Sequence, residues 1–281
     1  MNDYKLLITD LDNTLYDWVT FYAKSFECFV TKVNQITGIP LEILLDEFKL
    51  INQKYHDSEF PLAVLELPSI REKYKTISVS RILKELNPAI KAFNNKRSKT
   101  LKLYPGVYET LVEMSNSGVK IIGHTEAIYS NALLRLEKLK ILKFFNSLYA
   151  VEASPLFYDG NVKKFKLKSD FLNIIPQEKR KPNPSLLIEI CKAVGIEPAQ
   201  AIYIGDSLVK DMSMAKEAGV KAAWAKYGTN FDKTHWNVLV RITHWTDEDV
   251  SREVQLKKHY SNVKPDITCE KFSDLLSIMS S

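Results

Sequence analysis

Apolar and polar positions change period twice along this chain. Residues 4–9 form a short apolar run closed by Asp10, the pattern of a strand buried on both faces of a parallel sheet. From 17 to about 102 the period is helical. Trp18, Val19, Phe21, Tyr22, Phe26, Phe29, Val30 and Val33 recur at helical spacing, and Gly38-Ile39-Pro40 ends one helix and begins another that runs through Phe48 and Ile51. Further helical patterns cover 70–74 and 77–86. No strand-like alternation interrupts this block, so it reads as an all-helical insertion after the first strand, its aromatic stripe mostly its own core.

A strand–helix rhythm resumes at 103. The pattern predicts a helix over 107–117 ended by Gly118, a strand over 119–123 with 124–126 at its end, a helix over 127–142 and a strand over 148–151. A helix over 184–194 is closed by Gly195, a strand over 201–204 runs into Gly205-Asp206-Ser207, a helix ends at Gly219, and 221–225 is a further strand. Such alternation predicts an α/β fold: a Rossmann-like, three-layer parallel-sheet core from 1–16 and 103–281, with the helical insertion at 17–102. Two stretches fall outside this rhythm. In 155–181 the run Tyr158-Asp159-Gly160-Asn161 predicts a hairpin turn, and in 228–263 the alternation of Val238, Val240 and Ile242 predicts a strand pair.

Composition narrows the class only a little. Hydrophobic residues at 45% and charged residues at 26% are ordinary for a globular protein, and a formal charge of +5 admits an anionic substrate without calling for nucleic acid. The basic runs at 96–99 and 163–168 read as solvated lysines and arginine. Cys28, Cys191 and Cys269 are isolated, which gives neither a disulfide framework nor a zinc motif. With no signal-peptide pattern and no membrane-length apolar run, a soluble cytoplasmic protein is expected.

The chemistry starts in LLITDLDNTL, residues 6–15, where Asp10 and Asp12 stand one residue apart at the end of a strand. Two neighbouring carboxylates make ionisation of each other costly, and a bound cation relieves that cost. Thr125 and Asp206 also fall just after strands, so all can meet at one edge of the sheet, where ligands of such folds bind. There Asp10 can act as a nucleophile toward phosphorus, and Asp12 as proton donor and then acceptor. Asp10, Asp206 and Asp211 offer hard oxygen ligands suited to Mg2+. Thr125 supplies a hydroxyl and Lys181 a compact positive charge.

DLDNT at 10–14, Thr125 after an apolar strand, Lys181 in KPNP and GDSLVKD at 205–211 together resemble the haloacid dehalogenase (HAD) superfamily in its aspartate-nucleophile phosphatase branch. Residues 265–276 resemble that family's closing strand and helix. The resemblance implies a HAD-like core with a type 1 helical cap at 17–102, which would select the substrate. It further implies magnesium bound by the Asp10 carboxylate, the Asp12 backbone carbonyl, Asp206 and Asp211, and phosphate or substrate contacts from Asn13, Thr14, Thr125, Glu126 and Lys181. An acid at Asp12 points to phosphoryl transfer rather than dehalogenation. Glu126 departs from the Thr-Asn pair common in the family.

The expected function is therefore Mg2+-dependent hydrolysis of a small phosphorylated metabolite, such as a sugar phosphate, phosphoglycolate or nucleotide, through an aspartyl-phosphate. A phosphomutase using the same residues and a non-catalytic binding protein of this fold remain alternatives. No membrane or nucleic-acid partner is expected, and the chain would act as a monomer or homodimer.

Overall fold

The computed structural model describes residues 4–152, 165 and 167–279. The hairpin expected at 158–161 and residues 163, 164 and 166 of the basic run 163–168 lie outside these residues. The described chain divides into two compact units: 1–17 with 102–230 and 254–281, and 18–101 with 231–253.

The first unit is built on a seven-stranded parallel sheet: β1 (Leu6–Thr9), β2 (Lys120–Ile128), β3 (Ser147–Val151), β4 (Leu172–Ile175), β5 (Ala201–Gly205), β6 (Lys221–Ala225) and β7 (Ile267–Cys269), in the order β4-β3-β2-β1-β5-β6-β7. β1 is central, and all four of its residues are buried, as an apolar run without alternation requires. The chain moves outward from β1 to β4 and then returns to the other side of β1. That reversal opens a crevice beside the carboxyl end of β1.

Register fixes what meets there. Thr9 pairs with Gly123 on β2 and with Ile204 on β5, so Asp10, His124 and Gly205 come next on three adjacent strands. The Asp10 N–H continues the ladder by donating to the Ile204 carbonyl at 2.9 Å. Helices α5 (Val107–Asn116), α6 (Tyr129–Lys138) and α7 (Pro184–Val194) follow the expected rhythm, and α8 (Ser213–Glu217) comes after a π-type turn over Leu208–Met212. α7 shows why its bounds were legible. Asn183 caps it by accepting from the Leu186 N–H at 3.1 Å, Pro184 begins it, and Gly195 at φ 68° ends it.

Two elements of this unit differ from expectation. β2 runs on to Ile128 with an irregularity after His124, which delays α6 to Tyr129. β4, inside the long connection, carried too little pattern to stand out: four residues at the sheet edge, with Ile175 buried and Ile174 half exposed.

The second unit contains α1 (Trp18–Thr37), α2 (Leu41–Tyr55), α3 (Pro68–Lys73), α4 (Val79–Thr100) and α9 (Lys233–Arg241). Phe26, Phe29, Phe48 and Phe93 pack edge to face in its core, Phe26 and Phe48 with centroids 5.2 Å apart. The strand pair expected around 238–242 is instead α9. Leu239 within it and Ile242 at its C-cap are buried three residues apart, whereas Val240 is exposed, so burial follows a helical period and not the alternation. This segment is held by Asn52, whose side chain donates to the Ile242 carbonyl at 2.7 Å, and by Gln53, which donates to that of Trp245 at 2.8 Å. Helix α10 (Asp247–His259) follows, and α11 (Asp274–Met279) closes the chain after β7. Among the described residues, no helix is long and apolar enough to cross a membrane.

Candidate active site

Asp10 begins the site. Its carboxylate is buried and held from two sides, by the Thr14 hydroxyl at 3.1 Å from Oδ2 and by the Lys181 ammonium at 2.5 Å from Oδ1. Lys181, itself buried in the sequence Lys181-Pro182-Asn183 ahead of α7, also donates to Asp211 Oδ1 at 2.9 Å. Asp211 sits in the π-type turn, where its Oδ2 accepts from the Ser207 N–H at 3.0 Å. It packs so closely under β5 that a Cβ on Gly205 would lie 2.4 Å from Oδ2. Asp206 completes the group. One oxygen from each of Asp10, Asp206 and Asp211 lies within 4.8 Å of the others.

Three carboxylates against one ammonium leave this pocket short of positive charge. Burial, opposed by Lys181 and reinforced by Asp211, pushes the Asp10 carboxyl up to about 7. Burial and the neighbouring Asp10 and Asp211 push Asp206 well above the usual carboxylate range. For Lys181, burial disfavours the charge, but Asp10 and Asp211 outweigh it and hold the ammonium well above its ordinary value. Beneath the cluster, Tyr203 donates to Asp211 Oδ1 at 3.2 Å and lies 3.4 Å from His124 Nδ1. Burial, with Lys181 close by, keeps His124 neutral.

The remaining candidates sit around this cluster. Thr125 is buried beyond the end of the β1-paired stretch of β2, and its hydroxyl oxygen accepts from the Ala127 N–H at 3.0 Å, which leaves its proton to donate elsewhere. Glu126 is tied to the Lys210 ammonium at 2.9 Å. Burial alone would raise its carboxyl, but Lys210 and Lys181 hold it below the ordinary value. Asn13 takes a left-handed conformation at φ 56°. Its carbonyl is met by Gly228, where a Cβ would come to 1.7 Å of the oxygen. The Tyr227 hydroxyl donates to the Thr14 carbonyl at 2.6 Å. The Asp12 carboxylate stands apart from the acidic cluster and pairs with Arg135 at 2.5 Å.

Of the residues expected from the sequence, the structure brings Asp10, Asp206, Asp211 and Lys181 together, and it adds contacts from residues that were not anticipated: Arg135, Tyr203, Lys210, Tyr227 and Gly228. For Arg135 a signal existed, a charge flanking the apolar stripe Ala132, Leu133 and Leu136. Tyr203, inside an apolar strand, gave none.

The chain matches the haloacid dehalogenase-like hydrolase family over residues 4–219, and a HAD-hydrolase-like family over 179–275. It belongs to the haloacid dehalogenase-like hydrolases. It is 25% identical over 221 residues to a glyceraldehyde 3-phosphate phosphatase of Methanopyrus kandleri, covering 77% of this chain and 81% of that protein. With a phosphoglycolate phosphatase of Pseudomonas syringae pathovar tomato it shares 24% identity over 226 residues, 80% of this chain and 71% of the other. The crystal structure of a HAD phosphatase from Thermococcus onnurineus superposes with a TM-score of 0.56 at 17% identity, covering 98% of this chain and 97% of that one. This last likeness concerns the fold.

Proposed function

We propose that this protein is a magnesium-dependent phosphatase of a small phosphorylated metabolite and that Asp10 carries the phosphoryl group as an aspartyl-phosphate. The observation that carries this reading is the setting of Asp10: a buried carboxylate at the switch point of the sheet, oriented by Thr14 and Lys181 and flanked by Asp206 and Asp211. The two relatives named for phosphatases of three-carbon and two-carbon phosphates support a small substrate.

The residues present fit Mg2+. Asp10, Asp206 and Asp211 form an all-oxygen donor set, and burial with too little compensating charge raises two of them, which a hard cation would relieve. Asp10, Asp206, Asp211 and the Asp12 backbone carbonyl would hold it. Once bound, magnesium supplies positive charge to the phosphoryl oxygens.

In the first half-reaction an Asp10 oxygen bonds to phosphorus while the ester P–O bond breaks, and Asp12 gives its proton to the departing alcohol oxygen. In the second, Asp12 takes a proton from the water whose oxygen bonds to phosphorus, the Asp10–phosphorus bond breaks, and inorganic phosphate leaves. Asn13, Thr14, Thr125 and Lys181 serve as the phosphate-facing groups, and Glu126, tethered by Lys210, borders the substrate. The helical unit acts as the cap that selects the leaving group.

Phosphate release from a panel of phosphorylated metabolites tests this reading, with magnesium or chelator and with Asp10→Asn beside the wild type. Magnesium-dependent release that Asp10→Asn abolishes is expected. A folded, magnesium-binding protein that releases no phosphate from any member would overturn hydrolysis in favour of a mutase or a binding role.

A further inference from the structure

Arg135 is among the largest fully buried side chains of the protein, at 1% exposure. A guanidinium is costly to bury unless it is paired. It projects from α6, whose residues Ala132, Leu133 and Leu136 enter the core, and its Nη1 donates to Asp12 Oδ1 at 2.5 Å while its Nε donates to the Asn131 carbonyl at 3.2 Å. Its guanidinium carbon lies 5.8 Å from the centroid of the Tyr16 ring. Tyr16 in turn is bound to the same loop, since the Asn13 N–H donates to its carbonyl at 2.9 Å. The two acids of the DLDNT motif thus have separate cations, Lys181 for Asp10 and Arg135 for Asp12.

We propose that Arg135 is a positioning residue that fixes the Asp12 carboxyl in place for its proton transfers. This rests on the phosphatase reading above. A guanidinium offers a rigid donor fork, and backing it with the Asn131 carbonyl and the Tyr16 ring leaves it little freedom to follow a rotating carboxylate. Asp12 is then held at one rotamer in both half-reactions, when its proton passes to the alcohol oxygen as the P–O bond breaks, and when it takes the proton of the attacking water. The consequence depends on the substrate. An alkoxide is a poor leaving group and needs that proton, whereas p-nitrophenolate departs without it. A purely structural Arg135 would not distinguish the two.

The test is steady-state kinetics of the wild type, Arg135→Met and Arg135→Lys on a series from p-nitrophenyl phosphate to simple alkyl phosphates. Loss of kcat/KM, which reports the first half-reaction, of about 10²-fold or more is expected for Arg135→Met on alkyl esters, against less than about 10-fold on p-nitrophenyl phosphate, whereas kcat set by hydrolysis of the shared aspartyl-phosphate falls alike for every ester. Arg135→Lys, which keeps the charge but not the fork, should fall between. In an Asp12→Asn background, Arg135→Met should add little further loss. Equal loss of kcat/KM across the series, no loss, or full additivity with Asp12→Asn overturns the inference alone. If Arg135→Met does not fold, the Lys variant decides by the same leaving-group trend, and a wild-type profile overturns the proposal. A wild type inactive on every ester overturns the phosphatase reading and this inference with it.

Discussion

The Lys181 ammonium lies 2.5 Å from Asp10 Oδ1, although 171 residues separate the two in the chain. Both are buried, so neither is screened by water. Lys181→Met should therefore lower phosphatase turnover by about 10²–10³-fold, as loss of a preorganised charge at the phosphoryl site does. Stability should fall by less than the roughly 3–5 kcal/mol typical of a broken buried pair, because Asp10 can take up a proton. Turnover and urea unfolding of the variant check both parts.

The raised Asp10 carboxyl makes metal-free stability depend on pH. Its value moves from 3.8 to about 7 in the folded protein, chiefly through burial. Between these values the folded state binds more protons than the unfolded chain, so this group's contribution falls as pH rises from about 4 to about 7. Urea unfolding in chelator at pH 5 and pH 7.5 should show the decline, and Asp10→Asn should flatten it. The same slope in both proteins would contradict the burial argument.

On the proposed magnesium-binding reading the metal should reverse that trend, because a divalent cation takes carboxylates in their ionised form. At about 100 times its dissociation constant it adds roughly 2.7 kcal/mol to stability. The rise in melting temperature is expected to be larger at pH 7.5 than at pH 5, and to shrink in Asp206→Asn and Asp211→Asn. Calorimetric titration of each variant, and loss of turnover in chelator, provide the checks.

Gly228 leaves no room for a side chain beside the Asn13 carbonyl. Gly228→Ala would put Cβ 1.7 Å from that oxygen, so the backbone around Asn13 must shift. A stability loss of about 1–3 kcal/mol is expected, with a fall in kcat because the displaced loop carries Asp12. Thermal melts and turnover of this variant decide the matter.

In the helical unit, Asn52 is buried and donates to the Ile242 carbonyl at 2.7 Å. Asn52→Ala strands that carbonyl and should cost about 1–3 kcal/mol. Chemical denaturation measures it, and increased protease cutting within 231–253 should accompany it.

The α/β core was legible in the sequence, and so was the gathering of Asp10, Asp206 and Asp211 at one end of its strands. Local signals sufficed where they were strong: the unbroken apolar run before Asp10, the Asn-Pro start and Gly195 end of α7, and carboxylates placed just after strands. Those carboxylates converge because strand register carries local position across the sheet, so Asp10 and Asp206 were legible as neighbours despite their separation. Tertiary structure alone decided the rest. Alternation at 238–242 favoured a strand, yet burial of Leu239 and Ile242 made a helix, because packing overrides a weak local period. The pairing of Arg135 with Asp12, and the close approach of Gly228 to Asn13, depend on how distant segments fold onto one loop. Such contacts leave no periodic trace in the chain, since a single buried arginine or glycine is specified by its neighbours in space and not by those in sequence.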